Sequence, residues 1–263
     1  MGVIEAIRKG FGVASKNMGL VLILFIFNLI WNLASIPFVG PAATARPDLA
    51  AIAVIISILF ILMSIFVQSG ALALVRDYVK HGKMALGSFA GYGLKYYIRL
   101  FLLGLLIVLI IGVIGMLAAL IVFATTPLNN TAVTIIAAII AIGIGVVGVY
   151  YILLLMLSPY TIVCDELGVI EGMKKSIKVV RRSLGRIILL LVLLILISMG
   201  LGFLVGLLTG FASVAMPIGA GRVFTGIVSS IFNGYLGIVM MASFTVFYLA
   251  VAEREKTSAQ KVF

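Results

Sequence analysis

Charge is what this sequence has least of. Only 10% of its 263 residues are charged and 64% are hydrophobic, with a mean hydropathy of +1.34. Soluble domains carry about 25% charged residues, so a soluble domain is excluded. There is one cysteine, Cys164, which excludes an intrachain disulfide and a cysteine-based metal cluster; a small apolar residue at a helix end is the role expected of it. There is one histidine, His81, and no acidic residue falls inside a long apolar run. The patterns HExxH, GxSxG and GxxxxGKS/T are absent, so no zinc hydrolase, serine hydrolase or phosphate-loop enzyme is legible. Ion-coupled carriers and proton pumps place ionisable groups within the membrane, and their absence argues against coupled transport. The expectation is a protein that is not an enzyme and uses no metal or other cofactor.

What is abundant is uncharged apolar sequence. Charge-free runs cover Asn17–Ala45, Leu49–Val75, Leu100–Cys164, Ile187–Gly221 and Val223–Ala252. A spanning helix needs about 20 apolar residues, so the run from Leu100 must hold two, divided by a turn at Thr125-Thr126-Pro127-Leu128-Asn129-Asn130. This predicts an all-α integral membrane protein with six transmembrane helices, roughly 19–39, 50–75, 100–124, 132–158, 187–210 and 224–251. Of the 19 Lys and Arg, only Arg46 and Arg222 fall outside the N-terminus, the 2–3 and 4–5 connections and the C-terminus. The positive-inside rule then predicts a multi-pass protein of the cell membrane with both termini cytoplasmic. That asymmetry accounts for the net charge of +11 without nucleic acid, which is not expected as a partner. The N-terminal apolar stretch is of span length rather than the short core of a signal peptide, and is read as uncleaved.

One segment recurs. Val3-Ile4-Glu5-Ala6-Ile7-Arg8-Lys9 reappears as Val169-Ile170-Glu171-Gly172-Met173-Lys174-Lys175, and the match continues through Val13/Val179 to Gly19/Gly185. Large apolar residues at Ile4, Ile7, Phe11 and Met18, and at Ile170, Met173, Ile177, Val180 and Leu184, fall at helical steps of three and four, with the basic residues elsewhere. Half the offset lands on Leu86-Gly87-Ser88-Phe89, followed by Tyr96, Tyr97 and Leu100. In that middle copy Gly93 stands where a bulky residue is expected. The six spans are therefore predicted to form three parallel repeats, each an interfacial amphipathic helix plus a two-helix hairpin, with units of about 1–80, 81–165 and 166–252 and no internal domain boundary. Residues 253–263 read as a flexible cytoplasmic tail.

Several features invite a functional reading. Asp165-Glu166 follows a span directly, and the expectation is that the pair caps the next amphipathic helix and meets its dipole. Gly143-Ile144-Gly145-Val146-Val147-Gly148 fits the dinucleotide fingerprint by letter but lies mid-span, where helix packing is the better account. Gly202, Gly206 and Gly210, spaced by four, predict a helix-packing face, within the chain or towards another copy. Asn28, Asn32, Gln68 and Asn233 are amides inside spans that must avoid lipid, by interhelical hydrogen bonds or by lining a polar cavity. The strongest signal is basic: Arg8, Lys9 and Lys16 in the first copy, and Lys174, Lys175, Lys178, Arg181, Arg182 and Arg186 in the later one. Such clusters attract anionic lipid headgroups at about 1 kcal/mol per residue, and amphipathic periodicity favours helices lying in the interface.

The stretch Ser158-Pro159-Tyr160-Thr161-Ile162-Val163-Cys164-Asp165-Glu166, followed by Gly172-Met173-Lys174-Lys175-Ser176, resembles a prokaryotic family of six-span proteins. That family includes the membrane domain fused to some glycerophosphodiester phosphodiesterases. The resemblance implies the six-span architecture; no phosphodiesterase domain accompanies it here. The function expected is engagement of anionic lipid through basic interfacial helices, in lipid handling or membrane scaffolding, with a homo-oligomer or another membrane protein as a further partner. The alternative is a passive channel or facilitator, with its pore lined by the four amides or placed on an oligomer axis.

Overall fold

The protein is described by a computed structural model covering residues 2–38, 47–125 and 130–260. Every regular element among the described residues is helical: α1 (Val3–Lys16), α2 (Met18–Ser35), α3 (Pro47–His81), α4 (Phe89–Thr125), α5 (Thr131–Leu155), α6 (Ser158–Cys164), α7 (Val169–Ala215) and α8 (Ile218–Gln260), with 3-10 turns at Ile36–Phe38 and Leu86–Ser88. Six segments are long and apolar enough to cross a membrane: Met18–Ser35, Leu49–His81, Leu86–Thr125, Thr131–Cys164, Val169–Ala212 and Gly219–Glu253. They coincide with the charge-poor runs, because a helix satisfies its own backbone groups where no water can. Arg46, the centre of the turn at 126–129, and residues 261–263 of the tail lie outside the described residues. The tail segment expected to fray continues as helix to Gln260.

The helix ends have local causes. Asn130 caps α5, its Oδ1 accepting from the N–H groups of Ala132 (3.0 Å) and Val133 (3.4 Å), the role that short polar side chains play at helix starts. Helix α5 stops at Leu155, four residues before Pro159, whose ring would clash with that carbonyl and which offers no N–H in return. Gly82, at φ 71°, ends α3 with its N–H on the Tyr78 carbonyl at 2.8 Å, as left-handed glycines do at helix C-termini. Asn17 (φ −122°, ψ 53°) separates amphipathic α1 from the α2 span, and its side chain donates back to the Val13 carbonyl at 2.8 Å. Helix α7 carries a break at Ser183 (φ −128°, ψ 22°), between its basic first part and its apolar remainder.

Where the sequence offers no boundary, the contacts divide the chain into two compact units, residues 1–97 with 184–263, and Ile98–Ser183. In the first unit, α1, α2 and α3 all pack on α8. Its core joins Val13, Ala14, Leu20, Val21 and Leu24 to Val67, Ala71, Leu74 and Val75 and to Ile238, Val239 and Ala242. At Gly234 an added Cβ would lie 2.9 Å from the Phe25 backbone nitrogen, so α2 and α8 cross at backbone distance. Phe60 stacks on Trp31 and Phe27, tying α2 to α3. In the second unit, Gly148 of α5 accommodates Ile114 of α4. The first part of α7 is held to α5 and α6 by two buried hydroxyls: Ser176 donates to the Leu154 carbonyl (2.7 Å) and Thr161 to the Gly172 carbonyl (2.8 Å).

Candidate functional site: a basic cavity between α1, α3 and α8

The buried face of α1 is built from small residues. Val3, Ala6, Ile7, Gly10, Val13 and Ala14 are buried, whereas Ile4 is 76% exposed and Met18 60%. The stripe of large apolar residues read from the sequence is thus split: Ile7 is buried and Phe11 packs on the core, while Ile4 and Met18 face away from the protein contact. The first part of α7 repeats this, with Gly172, Ser176, Val179 and Val180 buried and Ile170 exposed. The reason is close approach: a Cβ at Gly10 would strike Ser243 Oγ and come within 2.8 Å of the Val239 carbonyl oxygen. Small residues let α1 lie against α8, and the larger ones are left for the surrounding apolar medium.

With that face buried, the basic side of α1 opens onto a cavity of about 670 Å³. Arg8, Lys9 and Lys16 line it from α1, Tyr78, Val79 and Lys80 from the last turns of α3, and Val246, Leu249, Ala250 and Glu253 from α8. The α8 residues fall at helical steps of three and four, so one face supplies an apolar wall with a carboxylate at its end. Lys9 also pairs with Glu5 one turn back, at 3.2 Å between half-exposed groups, and its hydrogen bond holds the Glu5 carboxyl below the ordinary carboxylate range. Chemically the cavity offers one guanidinium fork and three ammonium groups beside Val13, Val79, Val246 and Leu249, a setting for a phosphate or carboxylate attached to something apolar.

Two other places where a basic segment meets the end of a span are closed. Between α3 and α4, buried Arg76 donates to Asp77 Oδ1 through Nε and Nη2, both at 2.8 Å, and through Nη1 to the Tyr96 hydroxyl at 2.8 Å. Tyr96 is fully buried, Tyr92 hydrogen-bonds Asp77, and both rings lie within 6 Å of the Arg76 guanidinium. Between α6 and α7, Lys175 Nζ pairs with Asp165 Oδ2 at 2.7 Å, while Arg99 Nη1 donates to the carbonyls of Glu166 (3.1 Å) and Leu167 (3.4 Å). Asp165 therefore reaches a lysine ten residues along the chain. Glu166, at φ 55°, turns the chain.

The structure places Arg8, Lys9 and Lys16 around one cavity. It leaves Lys174, Lys178, Arg181, Arg182 and Arg186 exposed and spends Lys175 on its ion pair. Asn28 donates to the Leu24 carbonyl of its own helix (2.7 Å), Asn32 to Ser230 Oγ (2.8 Å), and Gln68 and Asn233 are exposed. At Gly202, Gly206 and Gly210 nothing among the described residues lies within 4 Å of an added Cβ. Sequence reasoning missed Lys80 and Glu253 as cavity residues, and missed Arg76-Asp77 altogether. An adjacent opposite-charge pair closing an apolar run was the available signal for the last.

A family described as a domain of unknown function (DUF7847) matches residues 1–251, nearly the whole chain. The chain belongs to that family. The match carries no link to glycerophosphodiester phosphodiesterases. No curated protein and no solved structure matches the chain.

Proposed function

We propose that this is a non-enzymatic membrane protein that engages anionic lipid through basic residues at the inner ends of its helices, in lipid handling or in organising a membrane assembly. The observation that carries the reading is the convergence of Arg8, Lys9, Lys16 and Lys80 on one cavity with an apolar wall. Cation-rich surfaces beside spans attract anionic headgroups, and an even number of crossings brings α1, the end of α3 and the end of α8 to one side, the cytoplasmic side by the distribution of Lys and Arg.

We also propose that the chain is built as three parallel repeats, a reading that local geometry supports. Gly10, Gly93 and Ser176 are spaced by 83 residues, and each sits against the span before it. Gly10 faces Ser243, the Gly93 carbonyl accepts from Ser69 at 3.0 Å, and Ser176 donates to Leu154. The residues one position earlier, Lys9, Tyr92 and Lys175, face Glu253 across the cavity, Asp77 and Asp165 respectively. The first amphipathic helix, α1, lies on the final span, α8. The alternative is a passive channel or facilitator, lined by the amides or placed on an oligomer axis, where Gly202, Gly206 and Gly210, open within 4 Å of an added Cβ, would allow close approach.

Native mass spectrometry of the full chain with defined lipids tests the reading: anionic lipid should be retained in preference to zwitterionic, and equal retention would overturn it. Topology is checked separately by thiol labelling of single cysteines in a Cys164→Ala background, where position 222 should react from outside sealed cells and position 175 should not.

A further inference from the structure

We infer that the cavity between α1, α3 and α8 is a stoichiometric site for one phosphate group, distinct from the diffuse attraction of the basic surface around it. This deepens the lipid reading and rests on it. The first ground is charge. Arg8, Lys9, Lys16 and Lys80 line the cavity with Glu253 as the one carboxylate among its lining residues. Lys9 also pairs with Glu5 at 3.2 Å, yet around the cavity the cations outnumber the carboxylates among the described residues; such a surplus repels itself, and a bound anion relieves it.

The second ground is shape. Arg8 brings a planar fork suited to two phosphate oxygens, while the lysines act as point charges that need no fixed direction. At about 670 Å³ the cavity is larger than a bare phosphate needs. The remaining wall, Val13, Val79, Val246 and Leu249, offers no polar side chain, so it suits the glycerol and first acyl carbons of a lipid. Arg8 and Lys16 have no ion pair among the described residues, leaving both available to the ligand.

The test uses the full chain in zwitterionic detergent, titrated with dioleoylphosphatidic acid, dioleoylphosphatidylcholine or inorganic phosphate and read by native mass spectrometry. One phosphatidic acid per chain is expected to survive activation that strips phosphatidylcholine. Arg8→Gln/Lys16→Gln/Lys80→Gln should weaken it about a hundredfold, at about fivefold per cation removed, with Trp31 fluorescence unchanged. Lys174→Gln/Lys178→Gln/Arg181→Gln should leave the bound copy in place. Displacement of the lipid by millimolar inorganic phosphate would support the phosphate site and assign it to a free anion; resistance to phosphate would assign it to the lipid. If the triple variant does not fold, Lys16→Gln alone carries the test with a loss of about fivefold. Undiminished binding in the cavity variant together with loss in the α7 variant would overturn the site and leave the broader lipid reading standing. Failure of the wild-type chain to prefer any phosphate-bearing probe would overturn both.

Discussion

Helix α1 and the first part of α7 begin with nearly the same residues, Val3–Lys9 and Val169–Lys175, yet their basic sides have different surroundings. Lys175 is drawn onto Asp165 at 2.7 Å, and the ends of α6 and α7 close over a half-buried ion pair. Its counterpart Lys9 turns to Glu5 on its own helix, at 3.2 Å and half exposed, beside a cavity whose carboxylate sits on α8. The positions of the acids make the difference. Asp165 ends α6 directly beneath the lysine it meets; Glu253 stands with Arg8, Lys16 and Lys80 around a space wide enough for a ligand. A basic segment met by its own acid becomes a structural clasp, whereas one with surplus cations keeps the charge that the proposed lipid contact requires. Substitutions should therefore trade off oppositely at the two kinds of junction, costing stability at a closed one and affinity at the open one.

The largest effect belongs to the closed α3–α4 junction. Arg76→Leu leaves the Asp77 carboxylate without its cation in a mostly buried place, and should destabilise the protein by about 3 kcal/mol, measured by thermal unfolding in detergent through Trp31. Adding Asp77→Asn should recover part of that loss, since the two residues share one interaction. Next is the small-residue face: Gly10→Leu drives a side chain into Ser243 and the Val239 carbonyl, costing about 2 kcal/mol. Gly12→Leu, with nothing within 4 Å, should stay within about 0.5 kcal/mol. Lys175→Gln opens a partly exposed pair and should cost about 1 kcal/mol, less at high salt. Smallest is Lys16→Gln at the open junction, within about 0.5 kcal/mol of wild type in stability. A large stability loss there would mean that the cavity is held together by its cations and would erase the contrast.

The spans could be read from the sequence because lipid imposes one simple demand, about 20 residues without charge, and this chain meets it six times. The contact face of α1 was legible only at Ile7, because hydrophobic periodicity finds the side with the largest apolar residues, and in a membrane some of that side can face outward. Ile4 and Ile170 were conspicuous and are exposed; Ala6, Gly10, Gly172 and Ser176 were not, and they make the contacts. Gly93 read as a defect in the middle copy for the same reason, although an added Cβ there would meet the Phe66 ring and a smaller residue cannot be had. Half of the cavity was legible, since Arg8, Lys9 and Lys16 cluster in sequence. Lys80 and Glu253 come from α3 and α8, and only the packing of α1 on α8 brings them to the same place.

The contact between Gly10 and Ser243 also sets a schedule. At about 5–20 residues per second the ribosome needs roughly 10–50 s to make the roughly 230 residues that separate them. Through that interval α1 carries a strip of glycine and alanine with no helix to lie on, and the cavity has only two of its three walls. The cavity is thus the last part of the molecule to exist, completed when α8 enters, so a chain truncated before Val239 would keep its first five spans yet lack the pocket.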